Sequence, residues 1–357
     1  MAEFTGLTWD HPRGRQALER SAASGTLIEW HVHPLEGFES SPIDELAARY
    51  DVIVLDHPHL GDALATGALQ SLDTVFEPEW LATLRCVGPS IPSYELDGHL
   101  WALPLDAATQ VSARLPERVP ENPATWTEVV ELSHHQPVAL SLAGPHAYLS
   151  FASLTVALGG DPTDPGDTGL EALDLLRDLQ SRAPAGTESL NPIGMLERTH
   201  TERDIAYIPL VYGYVPYAQG PDPVYFGDAP TAVRSGSTIG GTGLALSSRC
   251  TPTPALLEYL RWLLHPVTQA TYIPDNAGQP AVRSAWLSPS VNAASSEFYL
   301  ATLATIDAAW VRPRIAGFTP FQSEASRVLR EAILGERSPA SALAETAERF
   351  AALGVRA

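Results

Sequence analysis

Asp51-Val-Ile-Val-Leu-Asp-His-Pro-His-Leu-Gly61 is the stretch of sequence that decides the fold class. Val52 to Leu55 is a short, uninterrupted apolar run rich in β-branched residues, and Pro58 lies just beyond its end. A run of this kind is typical of a strand buried on both faces, as in a parallel sheet covered by helices. The stretch therefore predicts an α/β protein with this strand near the centre of a sheet.

The residues before this strand predict a helix over Ser41–Tyr50. Ser41 is suited to cap it, Pro42 to occupy its first position, and acidic residues fill its first turn. A helix that leads into a buried strand is half of a right-handed βαβ unit. Ligands of open α/β sheets collect beyond the carboxyl ends of the strands, so we expect Asp56–His59 to form one wall of a functional site.

The rest of the chain extends this pattern. Alternation predicts strands over Phe4–Trp9 and Leu27–His33, with a helix over 16–23 between them. Thr125 and Glu128 form a capping-box signature ahead of a helix that runs to Leu132. Further strands are predicted over Leu100–Asp106 and Ile239–Ser247, and one later helix over Ser295–Ala309.

Composition bounds the classes of function. The chain has 357 residues, 45% of them hydrophobic and 18% charged, which suits two packed lobes. Its formal charge of −20 argues against nucleic-acid partners and anionic membrane surfaces. All 22 basic residues are arginine, which excludes Schiff-base lysine chemistry and a P-loop lysine. Cys86 and Cys250 are interpreted as buried free thiols rather than a disulfide framework.

No apolar run is long enough to span a membrane, so no membrane insertion is expected. The first residues have neither a basic start nor an apolar segment of the secretory type. We therefore expect a cytoplasmic protein, or a periplasmic or extracellular one if a leader has been removed.

Polar and aromatic residues at the predicted strand ends are the candidate site. An acid beside an imidazole suits three roles, which are capping of nearby turns, hydrogen bonding to a ligand, and proton transfer. Asp10, His11, Asp56, His57 and Asp106 are the catalytic candidates if the protein is an enzyme. The candidate ligand-binding residues are Trp9, Asp10, His11, Asp56, His57, His59, Trp101, Asp106, Tyr212, Tyr214, Tyr217, Gly240, Gly241, Thr242, Gln279 and Arg312.

These candidates have structural alternatives. The aromatic rings suit stacking on a ligand or the edge of a core. Gly240, Gly241 and Gly243 lie inside a strand and match no nucleotide fingerprint, so they indicate a close approach of backbone or a bend. Arg312 suits a carboxylate clamp or a structural salt bridge.

Two His-x-His pairs, His31–His33 and His57–His59, are the only candidate metal ligands. Residues i and i+2 share one face of a strand, so each pair has metal-ligand spacing. No cysteine cluster accompanies them, and we predict a metal-free protein without a cofactor.

The order of these elements resembles family 1 of the extracellular solute-binding proteins, the sugar-type receptors of ABC importers. The resemblance extends over nearly the whole chain, through the βαβ start, the strand Leu100–Asp106, the strand Ile239–Ser247 and the segment Tyr272–Arg283 that contains Gln279. More narrowly, Gly6–Gly14 together with Asp56–His59 resembles a leaderless cytoplasmic subgroup. A permease partner is in doubt for a chain without a signal peptide.

The resemblance implies a two-lobe periplasmic-binding-protein-like fold of type II with the ligand cleft between the lobes. Residues 1–106 plus 238–300 would form the N-terminal lobe, and 107–237 plus 301–357 the C-terminal lobe. It implies reversible binding of a small polar organic molecule. The alternative is a cytoplasmic acid/base enzyme, a lyase, isomerase or cyclase, built on the same scaffold.

Overall fold

The computed structural model describes residues 2–22, 27–35, 37 and 41–354. Its strands are β1 (Phe4–Trp9), β2 (Ile28–His33), β3 (Val52–Leu55), β4 (Glu95–Leu96), β5 (His99–Leu100), β6 (Leu103–Arg114), β7 (Tyr207–Tyr212), β8 (Tyr225–Gly227) and β9 (Ile239–Leu246). Its helices are α1 (Pro12–Ala22), α2 (Ile43–Ala47), α3 (Leu60–Thr66), α4 (Pro78–Leu81), α5 (Ser90–Ser93), α6 (Trp126–Ser133), α7 (His146–Ala157), α8 (Gly166–Gln180), α9 (Pro192–Thr201), α10 (Pro254–Leu263), α11 (Pro266–Ala270), α12 (Tyr272–Asp275), α13 (Arg283–Trp286), α14 (Pro289–Ala293), α15 (Phe298–Ala301), α16 (Leu303–Asp307), α17 (Phe318–Ile333) and α18 (Pro339–Ala351).

The chain divides into two compact units, each built from several sequence segments. The first unit comprises residues 1–108, 240–293 and 312–319, and the second comprises 109–239, 294–311 and 320–357. The predicted lobes differ from these units at 107–108 and 238–239, at 294–300, which the sequence assigned to the N-terminal lobe, and at 312–319, which it assigned to the C-terminal lobe. This segment groups with the first unit because Arg312 pairs with Asp56 and the Gly317 amide donates to Asp62 Oδ1 at 2.7 Å.

The first unit contains the predicted βαβ sheet. Its strands follow the order β2-β1-β3-β9-β6, with β1 parallel to both β2 and β3 and β9 antiparallel to β3. All four residues of β3 are at most 2% exposed, so the predicted buried strand is confirmed. Burying such side chains contributes about 1.5–3 kcal/mol each, which makes β3 the centre of this core.

The second unit is built around the far end of β6. There β6 pairs antiparallel with β7 and with β8. Every residue of α7 is buried, its histidine, two serines and threonine included, so this helix lies in the core of the second unit. The capping box predicted at Thr125 and Glu128 is present, and it starts α6.

Several local predictions are wrong in detail. Ser41 does not cap α2, since the N-cap is Pro42 and no side chain supplies the cap hydrogen bond. The helix predicted over 295–309 is two short helices, α15 and α16, separated by Thr302. The strand predicted to end at Asp106 continues to Arg114, because its later residues pair with β7 and β8.

Candidate functional site

The carboxyl ends of β1 and β3 lie at the same edge of the first unit's sheet. The two strands are parallel, with Leu7 opposite Ile53, and β9 places Gly243 opposite Leu55. Asp10 follows β1 and Asp56 follows β3. This edge is where an open α/β sheet presents its functional groups.

Asp56 is a paired carboxylate that also caps the next turn. Its Oδ1 accepts from the His57 amide at 2.8 Å and starts a 3₁₀ turn over His57–His59, so the capping interpretation is confirmed. Its Oδ2 accepts from the Arg312 guanidinium, which is the structural salt bridge among the two roles considered for that arginine. Burial alone would raise the pKa of Asp56, but Arg312 and His57 lower it far below the usual carboxyl range.

His57 is fully buried, with its Nδ1 3.0 Å from Asp56 Oδ1 and its ring edge-on to Tyr94. Its Nε2 has no hydrogen-bond partner within the described part of the chain. Burial and the charge of Arg312 lower the pKa of His57 to about 4. The imidazole is therefore neutral at pH 7 and a poor proton acceptor, because efficient bases have pKa values near the operating pH.

Asp106 forms a second buried ion pair. Arg13 donates through Nε to Oδ2 at 2.6 Å and through Nη2 to Oδ1 at 2.7 Å, which is the bidentate geometry of a strong pair. Burial raises the pKa of Asp106, while Arg13 and the Thr242 amide oppose the rise. The Thr242 hydroxyl is buried and has no partner among the described residues.

Gly241 lies in β9, at the point where that strand comes close to the backbone of Asp106. Its φ is +89°, and a Cβ would lie 2.4 Å from the Asp106 carbonyl oxygen. The sequence interpretation of a close backbone approach is confirmed, and the approaching backbone is that of β6.

The two ion pairs influence each other. Asp56 raises the pKa of Asp106, and both carboxylates, after burial, raise the pKa of Tyr94. Tyr94 donates to the Leu55 carbonyl at 3.1 Å. We call Arg13, Asp56, His57, Tyr94, Asp106 and Arg312 the strand-end cluster. Sequence reasoning missed Arg13 and Tyr94, because nothing local to either residue indicates its partner.

The candidates after β1 are divided between core and surface. Trp9 is 3% exposed, and a Cβ at Gly14 would lie 2.3 Å from its indole, so this ring is a core residue. Asp10 is exposed and lies 3.1 Å from Arg15 Nη1. His11 Nδ1 accepts from the Arg13 amide at 3.1 Å, and burial together with Arg13 lowers its pKa to about 4.

The remaining candidates of the first unit have structural contacts. Trp101 donates from its indole N–H to the Leu96 carbonyl at 2.9 Å. Gln279 is buried and donates to the Ala107 carbonyl at 2.8 Å. His59 is buried in the 3₁₀ turn, whereas Gly240 keeps partial exposure.

The tyrosine candidates all lie in the second unit. Tyr212 ends β7 and donates to the Ile239 carbonyl at 3.4 Å. Tyr217 donates to Glu197 Oε2 at 3.2 Å, and burial followed by that carboxylate raises its pKa. Both rings are partly exposed, while Tyr214 is 6% exposed.

The histidine pairs do not assemble into a metal centre. No group of three or more His, Cys, Asp or Glu residues with suitable geometry occurs among the described residues. His57 and His59 lie on a 3₁₀ turn rather than on a strand, so the shared-face argument fails for that pair. The metal-free state stays a prediction.

No protein-family model and no curated protein matches the sequence. Solved structures do match. A solute-binding protein of an ABC transporter from Agrobacterium radiobacter, in complex with ribitol, superposes with a TM-score of 0.82 at 19% identity over 98% of both chains. Maltose-bound MalE3 of T. maritima has a TM-score of 0.82 at 17% identity, covering 98% of this chain and 99% of that one.

The GacH receptor of Streptomyces glaucescens, solved unliganded and with acarbose, has a TM-score of 0.78 at 18% identity, covering 98% of this chain and 99% of that chain. The protein therefore has the fold of the ABC-transporter solute-binding proteins, and the predicted periplasmic-binding-protein-like α/β fold is confirmed. Among the described residues, no helix is both long and apolar enough to cross a membrane.

Proposed function

We propose that this protein is a receptor that reversibly binds a small polyhydroxylated molecule, a sugar or a sugar alcohol. The observation that carries the proposal is the superposition, over 98% of the chain, on receptors solved with ribitol and with maltose. Another structure of this fold, from Thermotoga lettingae, holds tagatose at a TM-score of 0.80. Hydroxyl-rich molecules need donors and acceptors fixed in place, and paired charged groups provide them.

The strand-end cluster supports binding without chemistry. Its two carboxylates are matched by two guanidinium groups, so its fixed charges balance. Asp56 is 18% exposed at its side chain and is the member of the cluster best placed to accept from a ligand hydroxyl. A carboxylate already oriented by Arg312 can accept such a bond with little reorganisation, which favours affinity.

The enzyme alternative has no observation in its favour. The only buried imidazole beside a carboxylate in the cluster, His57, has a pKa of about 4, and its partner carboxylate is held ionised. Neither group is suited to exchange a proton with a substrate near neutral pH.

The test is calorimetric titration of the purified protein with ribitol, maltose and tagatose, followed by NMR of each recovered ligand. We expect at least one compound to bind and to be recovered unchanged. Asp56→Asn should weaken that binding about ten- to a hundredfold, since a hydrogen bond to a charged group contributes roughly 1.5–3 kcal/mol. Conversion of a ligand, or binding of none of these compounds, would contradict the proposal.

Asp51→Asn is the matched control. Asp51 precedes β3 as Asp56 follows it, and its side chain is 13% exposed and paired with Arg249 Nε at 3.3 Å. It also accepts from the Thr5 amide and hydroxyl at 2.8 and 2.9 Å. The two variants remove equivalent charges from opposite ends of one strand. Equal loss of affinity in both would mean that the effect is structural.

The cytoplasmic location and the doubtful permease partner stay predictions. Fractionation of the native host with an antibody against this chain would test the location. Co-purification with a membrane permease in the presence of the ligand found above would contradict the expectation for the partner.

A further inference from the structure

A cavity lies in the first unit and shares no residue with the strand-end cluster. Its volume is about 690 Å³, within the usual range for small-molecule sites. It is lined by the end of α10, the start of α11 and the segment from Trp80 in α4 to Arg85. A β-bridge between Cys86 and Val282 joins that segment to the residues before α13. We call it the aromatic pocket, defined by Trp80, Arg85, Arg261, Trp262, His265 and Val282.

The lining of the pocket includes buried apolar side chains and two tryptophan rings. Leu84, Leu264 and Val282 line it and are 8%, 2% and 4% exposed. Trp80 and Trp262 also line it, and Trp262 keeps 38% of its surface exposed. A partly exposed aromatic ring that lines a cavity of this size is available to stack on a flat apolar group of a ligand.

Both tryptophans are held in position by neighbouring side chains. The Trp262 ring lies 5.9 Å from the ring of Tyr259 and 4.9 Å from that of Tyr272. Trp80 lies 4.7 Å from Phe76, and the Arg261 guanidinium is 5.4 Å from its ring centre. Aromatic rings that are held in place before binding lose less conformational entropy when a ligand enters.

The charge of the pocket is opposite to that of the chain. Its lining contains Arg85, Arg261 and His265 and, among the described residues, no carboxylate, although the chain carries a formal charge of −20. Arg261 pairs with Glu77, which lies outside the lining. Arg85 forms no ion pair within the described chain and donates through Nη1 to the carbonyls of Ala82 and Leu84 at 2.7 and 2.9 Å.

We propose that the aromatic pocket binds an amphiphilic organic anion, with a flat apolar body against the tryptophan rings and one carboxylate or sulfonate at Arg85. A guanidinium recognises such an oxyanion through two parallel hydrogen bonds, and its remaining N–H groups are available at Arg85. The aromatic pocket has no residue in common with the strand-end cluster, so variants can be made in one without changing a side chain of the other.

The probe is 8-anilinonaphthalene-1-sulfonate, which joins an aromatic body to one anion and fluoresces when it leaves water. Its neutral counterpart is N-phenyl-1-naphthylamine, which keeps the rings and lacks the sulfonate. We expect one sulfonate probe to bind per chain, about ten- to a hundredfold more tightly than the neutral probe. Its affinity should fall with added sodium chloride and stay unchanged with added ribitol or maltose.

Two variants test the location, each with a matched control. Thr83→Trp places a large ring at the rim of the pocket, and Thr66→Trp places the same ring at the end of α3, at a threonine that is also exposed and also bonded to a nearby helix carbonyl. Arg85→Gln removes the proposed anion contact. Arg249→Gln removes another exposed arginine that donates to backbone carbonyls.

We expect Thr83→Trp and Arg85→Gln to weaken binding of the sulfonate probe at least tenfold, and the two controls to change it less than twofold. Unchanged binding in Thr83→Trp overturns the site. Equal affinity for both probes, or no effect of Arg85→Gln, overturns the anion. A concentration-dependent dimer in sedimentation that Thr83→Trp abolishes would mean that a second copy occupies the pocket, and would also overturn the proposal.

Discussion

Strand β6 contributes to two buried polar clusters, one of which satisfies its polar groups by ion pairing and the other by hydrogen bonds between neutral side chains. In the first unit, its residue Asp106 belongs to the strand-end cluster, where each carboxylate is matched by an arginine. In the second unit, Gln110 belongs to a neutral network with Ser153, Ser237 and Thr238. Ser153 donates to Gln110 Oε1 at 2.5 Å and lies 2.9 Å from Thr238 Oγ1.

The two clusters require different side chains at different distances along the sequence. A buried charge needs a partner of opposite charge, because isolated ions are too costly to remove from water. Arg13 is 93 residues from Asp106, and Arg312 is 256 residues from Asp56. The neutral network needs only short side chains with both donor and acceptor capacity, and each bond contributes less. The charged cluster should therefore be more sensitive to mutation and to pH.

The largest expected effect follows from breaking the Arg13–Asp106 pair. Arg13→Met leaves the Asp106 carboxylate buried without its partner, so we expect the free energy of unfolding to fall by about 3–5 kcal/mol in urea titrations at pH 7. The double variant Arg13→Met with Asp106→Leu should regain most of that loss, because no charge is then left buried. A double variant as unstable as Arg13→Met would show that the arginine acts through packing.

Acid should destabilise the folded protein through His57. The pKa of His57 is about 4 in the folded protein, whereas an unfolded histidine has a pKa near 6.5. As the pH falls, His57 is protonated in the unfolded state before it is protonated in the folded state. Its contribution to the free energy of unfolding is therefore complete above about pH 6.5 and is lost as the pH falls towards 4. His57 contributes up to about 3 kcal/mol to this loss, and His11 acts in the same direction.

Urea titrations at pH 7 and pH 4.5 measure this dependence. His57→Gln should flatten it, while His135→Gln, at a histidine whose side chain is 72% exposed, should leave it unchanged. The neutral network contains no titrating side chain and adds nothing to the slope. A wild-type slope retained in full by His57→Gln would refute the assignment.

The smallest effect is expected in the neutral network. Ser153→Ala leaves Gln110 Oε1 and the Thr238 amide without the hydroxyl that serves both, so we expect a loss of about 1–3 kcal/mol. Ser290→Ala, at an exposed serine of α14, should change stability by less than about 0.5 kcal/mol. If Ser153→Ala costs as much as Arg13→Met, the contrast between the clusters fails.

Some features of the fold could be predicted from the sequence because their causes are local. The apolar run Val52–Leu55 specifies a doubly buried strand, and Thr125 with Glu128 specifies a helix start, since each needs only neighbouring residues. A glycine inside a strand, at 241, also indicated a close backbone approach, although the sequence did not identify β6 as the strand that approaches. The capping role of Asp56 also depends on the next residue alone.

Pairing across the chain could not be predicted in this way. With 22 basic and 42 acidic residues, many ion pairs are compatible with the sequence, and no local signal selects Arg13 for Asp106. Ser41 and Pro42 illustrate the opposite error, because a plausible local cap is not the one that forms. Burial also depends on the tertiary fold, which places Trp9 and Gln279 among the buried side chains, and no local pattern announced this.

The strand at 52–55, the α/β class and the positions of Asp10 and Asp56 just after strands therefore follow from the sequence alone. Which side chains are paired, which are buried and which pKa values are displaced depends on the tertiary fold. The physical reason is that backbone conformation responds to neighbours along the chain, whereas solvent exclusion and charge pairing depend on residues that folding brings together from far apart.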